Sequence, residues 1–190
     1  MLLKLLLLVF VALVLAKDGG PDPKDIVRHL DAVESEASQS AQIMSGVGTI
    51  AEKIAVYWKH KPLTKAENIM VDNAHAIQAT IDLIYAAKDK LSDDDQKKLC
   101  NAYQDAMGAE QKMLGEIIEK DTVLQTMPNR LTLLFDIKEV WKSIGQLTAA
   151  LLSKASSCEG DVKAMEEAVD KLMLDAINAL VGKHIGKLDD

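Results

Sequence analysis

Residues 134–151 read LFDIKEVWKSIGQLTAAL, and within them Leu134, Ile137, Trp141, Ile144, Thr148 and Leu151 return at alternating intervals of three and four. That interval keeps one face of an α-helix turned toward its neighbours, whereas a half-buried strand alternates at every second residue. A helix lined in this way must bury its stripe against other helices.

The flanking sequence supplies them. Upstream, Thr64-Lys65-Ala66-Glu67 has the form of a capping box, in which hydroxyl and carboxylate satisfy the free amides of a new helix. The seam that follows is Ile69, Asn73, Ile77, Thr80, Ile84 and Ala87, with Ile81 and Tyr85 beside it. Leu91-Ser92-Asp93-Asp94-Asp95 then provides a second cap and three carboxylates of the sign a helix start favours. The helix it opens turns Leu99, Ala102, Ala106, Met113, Leu114, Ile117 and Ile118 inward. An earlier helix, from about Pro23, carries Ile26, Val27, Leu30, Val33, Ala37 and Ala41, then Met44, Val47, Ile50 and Ile54. Gly46 and Gly48 mark a kink or split in it.

Downstream of the opening stretch, Ser156 to Asp161 forms a turn before a last helix with Val162, Met165, Val169, Leu172, Ala176, Ile177, Leu180 and Ile185. Asp121 to Asn129, with Pro128, is expected to be a loop. The fold class is therefore all-α, an antiparallel bundle of about five helices. Short connections reverse direction at each step, which brings Cys100 and Cys158 to the same end. In an oxidising compartment this even pair is expected to form a disulfide.

Compartment is read from the start of the chain. Met1 to Ala16, MLLKLLLLVFVALVLA, has one positive charge at Lys4, an apolar run and small residues placed for cleavage after Ala16. This is the form of a secretory signal peptide. A transmembrane anchor is not expected, because Lys17, Asp18, Gly19, Gly20 and Pro21 interrupt the run short of about 20 residues. The expected organisation is a signal peptide, 1–16, and one helical-bundle domain, 17–190, released outside the cell. Cleavage removes Lys4 and takes the formal charge from −7 to −8. With no basic cluster to neutralise several phosphates, nucleic acid is excluded as a partner and anionic membrane surfaces are poor ones.

A search for chemistry finds little. His29, His60, His75 and His184 lie on different elements without a second ligand at zinc spacing, so no metal is expected. A calcium loop starting at Asp93 would need Gly and Glu where Lys98 and Gln104 stand. No nucleophile elbow, phosphate loop or dinucleotide fingerprint occurs, so neither a catalytic residue nor a cofactor is expected. Aromatic residues are few, while seven of the eight methionines lie beyond the leader: Met44, Met70, Met107, Met113, Met127, Met165 and Met173. Thioethers fill irregular core gaps and also line adaptable apolar sites, and both readings stand.

Several segments resemble the fungal hydrophobic surface-binding protein A family, which includes cell wall galactomannoproteins. They are Leu91 to Asp95, Ile118-Glu119-Lys120, the run from Ile144 to Lys154 and Asp175-Ala176-Ile177, with similar register from about Asp25 to Leu180. The chain departs from that pattern at Tyr57 to Pro62, where relatives have a Gly-rich turn, in its cysteine pair and in lacking a Ser/Thr-rich tail.

The resemblance implies a protein that binds apolar material, either a long-chain fatty acid or another apolar small molecule between helices, or a hydrophobic surface. In the first case the walls would come from Ile77, Ile84, Met113, Ile117, Ile137, Ile144, Leu151, Met165, Leu172 and Met173. Thr80 and Thr148 either return their hydroxyls to the preceding turn or receive the carboxylate. Gly108, Gly115 and Gly145 make room for close packing or for ligand. In the second case an exposed apolar patch would meet a surface, a secreted enzyme or a host protein. An enzyme would instead show a cleft with perturbed titrating groups.

Overall fold

The computed structural model describes residues 20–47, 61–87, 91–127 and 130–182, with only the backbone described at 61–64 and 66. The expected leader, Gly48, Ile50, Ile54, Trp58, Pro128 and Ile185 lie outside the described residues. All regular structure among them is helical: α1 (Pro23–Gly46), α2 (Lys61–Ala86), α3 (Asp93–Glu119), α4 (Asp121–Leu124), α5 (Arg130–Lys154) and α6 (Glu159–Val181), with a 3₁₀ turn at Ser156–Cys158.

Local chemistry accounts for most boundaries. The Asp22 carboxylate accepts from the Lys24 amide at 3.0 Å, and Pro23 occupies the first turn, where its missing N–H has no helical partner to lose. At α3 the Ser92 hydroxyl accepts from the Asp95 amide at 3.2 Å, and Asp93, Asp94 and Asp95 sit against the positive end of the helix dipole. Helix α6 ends at Gly182, whose φ of 72° is left-handed. A side chain there would be strained and would also press on the Gln125 amide, 3.3 Å from the Cβ position.

Three expectations are corrected. Helix α2 is already formed at Lys61, so Thr64 lies inside it and does not cap its start; proline in an early turn is compatible with helix, and Pro62 is accommodated there. The segment after α3 is not all loop, because Asp121–Leu124 makes one helical turn. Helix α6 begins at Glu159, ahead of Gly160 and Asp161, which were assigned to the turn.

The five long helices form a closed ring. Helix α1 packs between α2 and α3, α5 packs between α2 and α6, and the α3–α6 contact closes the circuit. Successive long helices from α2 onward reverse direction, so pairs two steps apart run parallel. Lys154 Nζ at the end of α5 donates to the Ala87 carbonyl at the end of α2, at 3.0 Å. Cys100, early in α3, and Cys158, just before α6, form a disulfide with their Cα atoms 6.2 Å apart. At the opposite end, Gln125 Nε2 beyond α4 donates to the Ala179 carbonyl of α6 at 3.0 Å. Among the described residues no helix is long and apolar enough to cross a membrane.

Inside the ring the buried apolar side chains form one contiguous core that includes Met44, Met70, Met107, Met113 and Met173, all without exposed surface. Five of the six expected stripe residues of α5, Leu134, Ile137, Ile144, Thr148 and Leu151, are buried, and Leu133, Val140 and Leu147 beside them have no exposed surface either. The added width has a cause: α5 is covered on one flank by α2 and on the other by α6. Trp141, the sixth stripe residue, is half-buried and donates from Nε1 to Asp170 of α6 at 2.6 Å. Tyr85, expected beside the α2 seam, is 58% exposed.

Two of the helical glycines prove to face outward. A Cβ on Gly108 or Gly115 would meet nothing within 4 Å, so neither makes room for packing or ligand. Gly108→Ala and Gly115→Ala are each expected to raise stability by about 1 kcal/mol, read as a higher urea midpoint. An unchanged or lower midpoint would show that one of these positions serves something else.

Candidate functional site

The seams meet in the interior, and the expected lining residues fall into two groups. Ile77, Thr80 and Ile84 of α2, Met113 and Ile117 of α3, Ile137, Ile144, Thr148 and Leu151 of α5, and Met173 of α6 are buried. All the apolar members of this group belong to the same core cluster. Met165 and Leu172 are only partly buried and pack against that core from its edge. Met165 also accepts a weak bond from Gln111 Nε2, 3.6 Å from its sulfur.

Both seam threonines turn their hydroxyls back to the helix. Thr80 Oγ1 donates to the Ala76 carbonyl at 2.8 Å, and Thr148 Oγ1 lies 3.0 Å from the Ile144 carbonyl. A threonine inside an apolar stripe pairs locally in this way when no other partner is within reach. Thr148 has one besides: the Tyr103 phenol lies 2.8 Å from its Oγ1, joining α3 to α5 across the ring. Burial drives the Tyr103 phenol up to about 12, with the Thr148 bond acting in the opposite sense, so it stays protonated. Glu166 of α6 borders the same junction, its carboxyl raised by burial and then by Asp170. Gly145 leaves space there, since a Cβ would stand 4.0 Å from the Glu166 carboxylate.

A second polar pair was not singled out from the sequence. Asn73 of α2 donates from Nδ2 to Glu110 Oε1 of α3 at 2.5 Å, and both residues have no exposed surface. Asn73 Oδ1 and Glu110 Oε2 are buried without a hydrogen-bond partner among the described residues. Burial pushes the Glu110 carboxyl up to about 7, against the opposing pull of the Asn73 amide. The signal for Glu110 was in the sequence, because Leu99, Tyr103, Ala106, Glu110, Met113 and Ile117 form one seam of alternating threes and fours. A charged residue type ordinarily faces solvent, which hides that signal. Ser40 escaped for a similar reason; it occupies an α1 seam position, fully buried, with its hydroxyl unpartnered.

A pocket of about 310 Å³ opens at the end remote from the disulfide, lined by Ile118, Asp121, Gln125, Asp175, Asn178, Ala179 and Gly182. None of the twelve expected ligand residues lines it. Its two aspartates and two amides make it a poor container for an aliphatic chain, so the interior seams remain the better candidate.

The sequence matches no protein-family model and no curated protein. The resemblance to the fungal hydrophobic surface-binding family thus has no family-model support. The fold does have a solved counterpart: the chain superposes on the crystal structure of AFMP4P in complex with palmitic acid with a TM-score of 0.72. The match covers 84% of this chain and 99% of that one at 16% identity. At that identity the likeness is one of fold.

Proposed function

We propose that this chain is a secreted binding protein that holds a long-chain fatty acid between its helices and performs no catalysis. The observation that carries the reading is that its ring of helices matches nearly the whole length of a chain solved with palmitic acid. The interior is compatible with such a guest. Each buried methylene contributes about 0.8 kcal/mol, so a long tail gives a large gross term before the costs of binding are subtracted. Five fully buried methionines supply side chains that can change rotamer to admit it. Secretion is inferred from the leader-like residues 1–16.

The test is organic extraction and mass spectrometry of the purified protein, followed by titration with palmitate. Stoichiometric fatty acid is expected in the wild type, reduced at least tenfold in Ile144→Trp and Met173→Trp, whose indoles would fill interior space. Those variants should remain helical by circular dichroism, since overpacking costs about 1–3 kcal/mol. A second reading, adsorption to a hydrophobic surface or apolar partner, is favoured by Leu131 and Phe135. These lie one turn apart on α5 and are 56% and 65% exposed. No lipid in any sample and no uptake of palmitate would leave that reading standing instead.

A further inference from the structure

We propose that Asn73 and Glu110 together receive the head of a long-chain carboxylic acid, which they take in its undissociated form. The inference deepens the fatty-acid reading above and rests on it. Its starting point is a mismatch inside the ring. The pair makes one hydrogen bond across α2 and α3, at 2.5 Å, yet each member keeps one fully enclosed oxygen with no partner among the described residues. Orphaned groups of this kind are rare in a folded interior, because each forfeits its bonds to water.

What could complete them follows from their protonation. The Glu110 carboxyl is pushed up to about 7, so below that pH its second oxygen carries a proton and is a donor, while Asn73 Oδ1 is only an acceptor. A carboxylic acid head presents the complement, one carbonyl acceptor and one O–H donor. Bound in that form it closes both positions and brings no charge inside.

An ionised head would not fit. Among the described residues the buried polar side chains are Ser40, Asn73, Thr80, Glu110 and Thr148, and none is a cation. The Glu110 carboxyl is governed by burial and by Asn73, with no charged side chain of α1, α2, α5 or α6 contributing. On its own helix face the nearby titratable group is Tyr103, two turns away and held protonated. A carboxylate would therefore enter an apolar interior without a counter-ion, which physical chemistry disfavours strongly.

The experiment titrates the full protein with palmitic acid and with methyl palmitate at pH 6 and pH 8, in wild type and Glu110→Gln. Referred to the undissociated fraction of the free acid, which is a minority at pH 6, the wild type should bind the acid at least tenfold tighter than the ester, which lacks the donor for Asn73. Between pH 6 and pH 8 wild-type affinity for the acid should fall about tenfold more than that of Glu110→Gln, whose amide donates without needing a proton. Equal binding of ester and undissociated acid overturns the proposal while leaving the fatty-acid reading intact, as do parallel pH profiles in the two proteins. Failure of both compounds to bind at either pH removes the fatty-acid reading, and this proposal falls with it.

Discussion

Replacing Cys100 and Cys158 together by alanine should lower the free energy of unfolding by about 4 kcal/mol, the chain-entropy value for a loop closed across 58 residues. Alanine is preferred to serine because Cys100 is 4% exposed, and a hydroxyl there would add its own penalty. The location of the bridge gives a further reason to expect a large effect. It fastens α3 beside the start of α6, the pair that closes the ring, so its loss frees the last helix first. Urea unfolding of the double variant checks this, and a midpoint unchanged from wild type would mean that packing alone holds the closure.

Glu110→Gln should change the way stability depends on pH. The carboxyl has an ordinary value of 4.5 and stands at about 7 in the folded protein, so the folded state holds its proton more tightly than the unfolded state does. That contribution is full below pH 4.5 and is lost as pH rises through 7, a swing on the order of 3 kcal/mol. Glutamine keeps an acceptor for Asn73 and never ionises. The variant should therefore match wild type near pH 4.5 and exceed it by roughly that amount at pH 8. Glu36, Glu67, Asp136 and Glu166 are also raised by burial and will leave a shallower slope of the same sign in both proteins. Thermal denaturation of ligand-free protein across this range decides it; identical slopes would show that Glu110 reaches water in the folded state.

The helices were legible because their seams repeat faithfully and because Asp22 and Ser92 are residue types whose side chains cap a helix start. The cysteine pairing followed from reversing direction at each connection. What escaped was the ring itself. Spacing says which face of a helix is buried and nothing about which helix covers it, so the side-by-side placement of the parallel α3 and α6 could not be read. The full width of the buried face of α5 escaped in the same way, since only a neighbour on each flank buries Leu133, Val140 and Leu147 along with the expected stripe. The interior polar pair was half visible. Asn73 stood in a recognised seam, whereas Glu110 was passed over on residue type even though its position in the repeat required burial. Of the twelve residues proposed to line a site, periodicity could place ten in the interior, Met165 and Leu172 lying at its edge, and it could not say what they enclose.

The circular arrangement also bears on how the protein is made. A chain emerging from the ribosome delivers α1, α2, α3 and α5 while the place between α5 and α3 still stands open, because its occupant, α6, follows all four. Until Glu159–Val181 arrives, the flanks of α3 and α5 that it covers are bare to water and to any folding assistant that recognises apolar surface. The cysteine that meets Cys100 arrives only at the threshold of that final helix. Cys158 thus comes out ahead of the helix it anchors, so the covalent closure of this protein can precede the packing that encloses its inside.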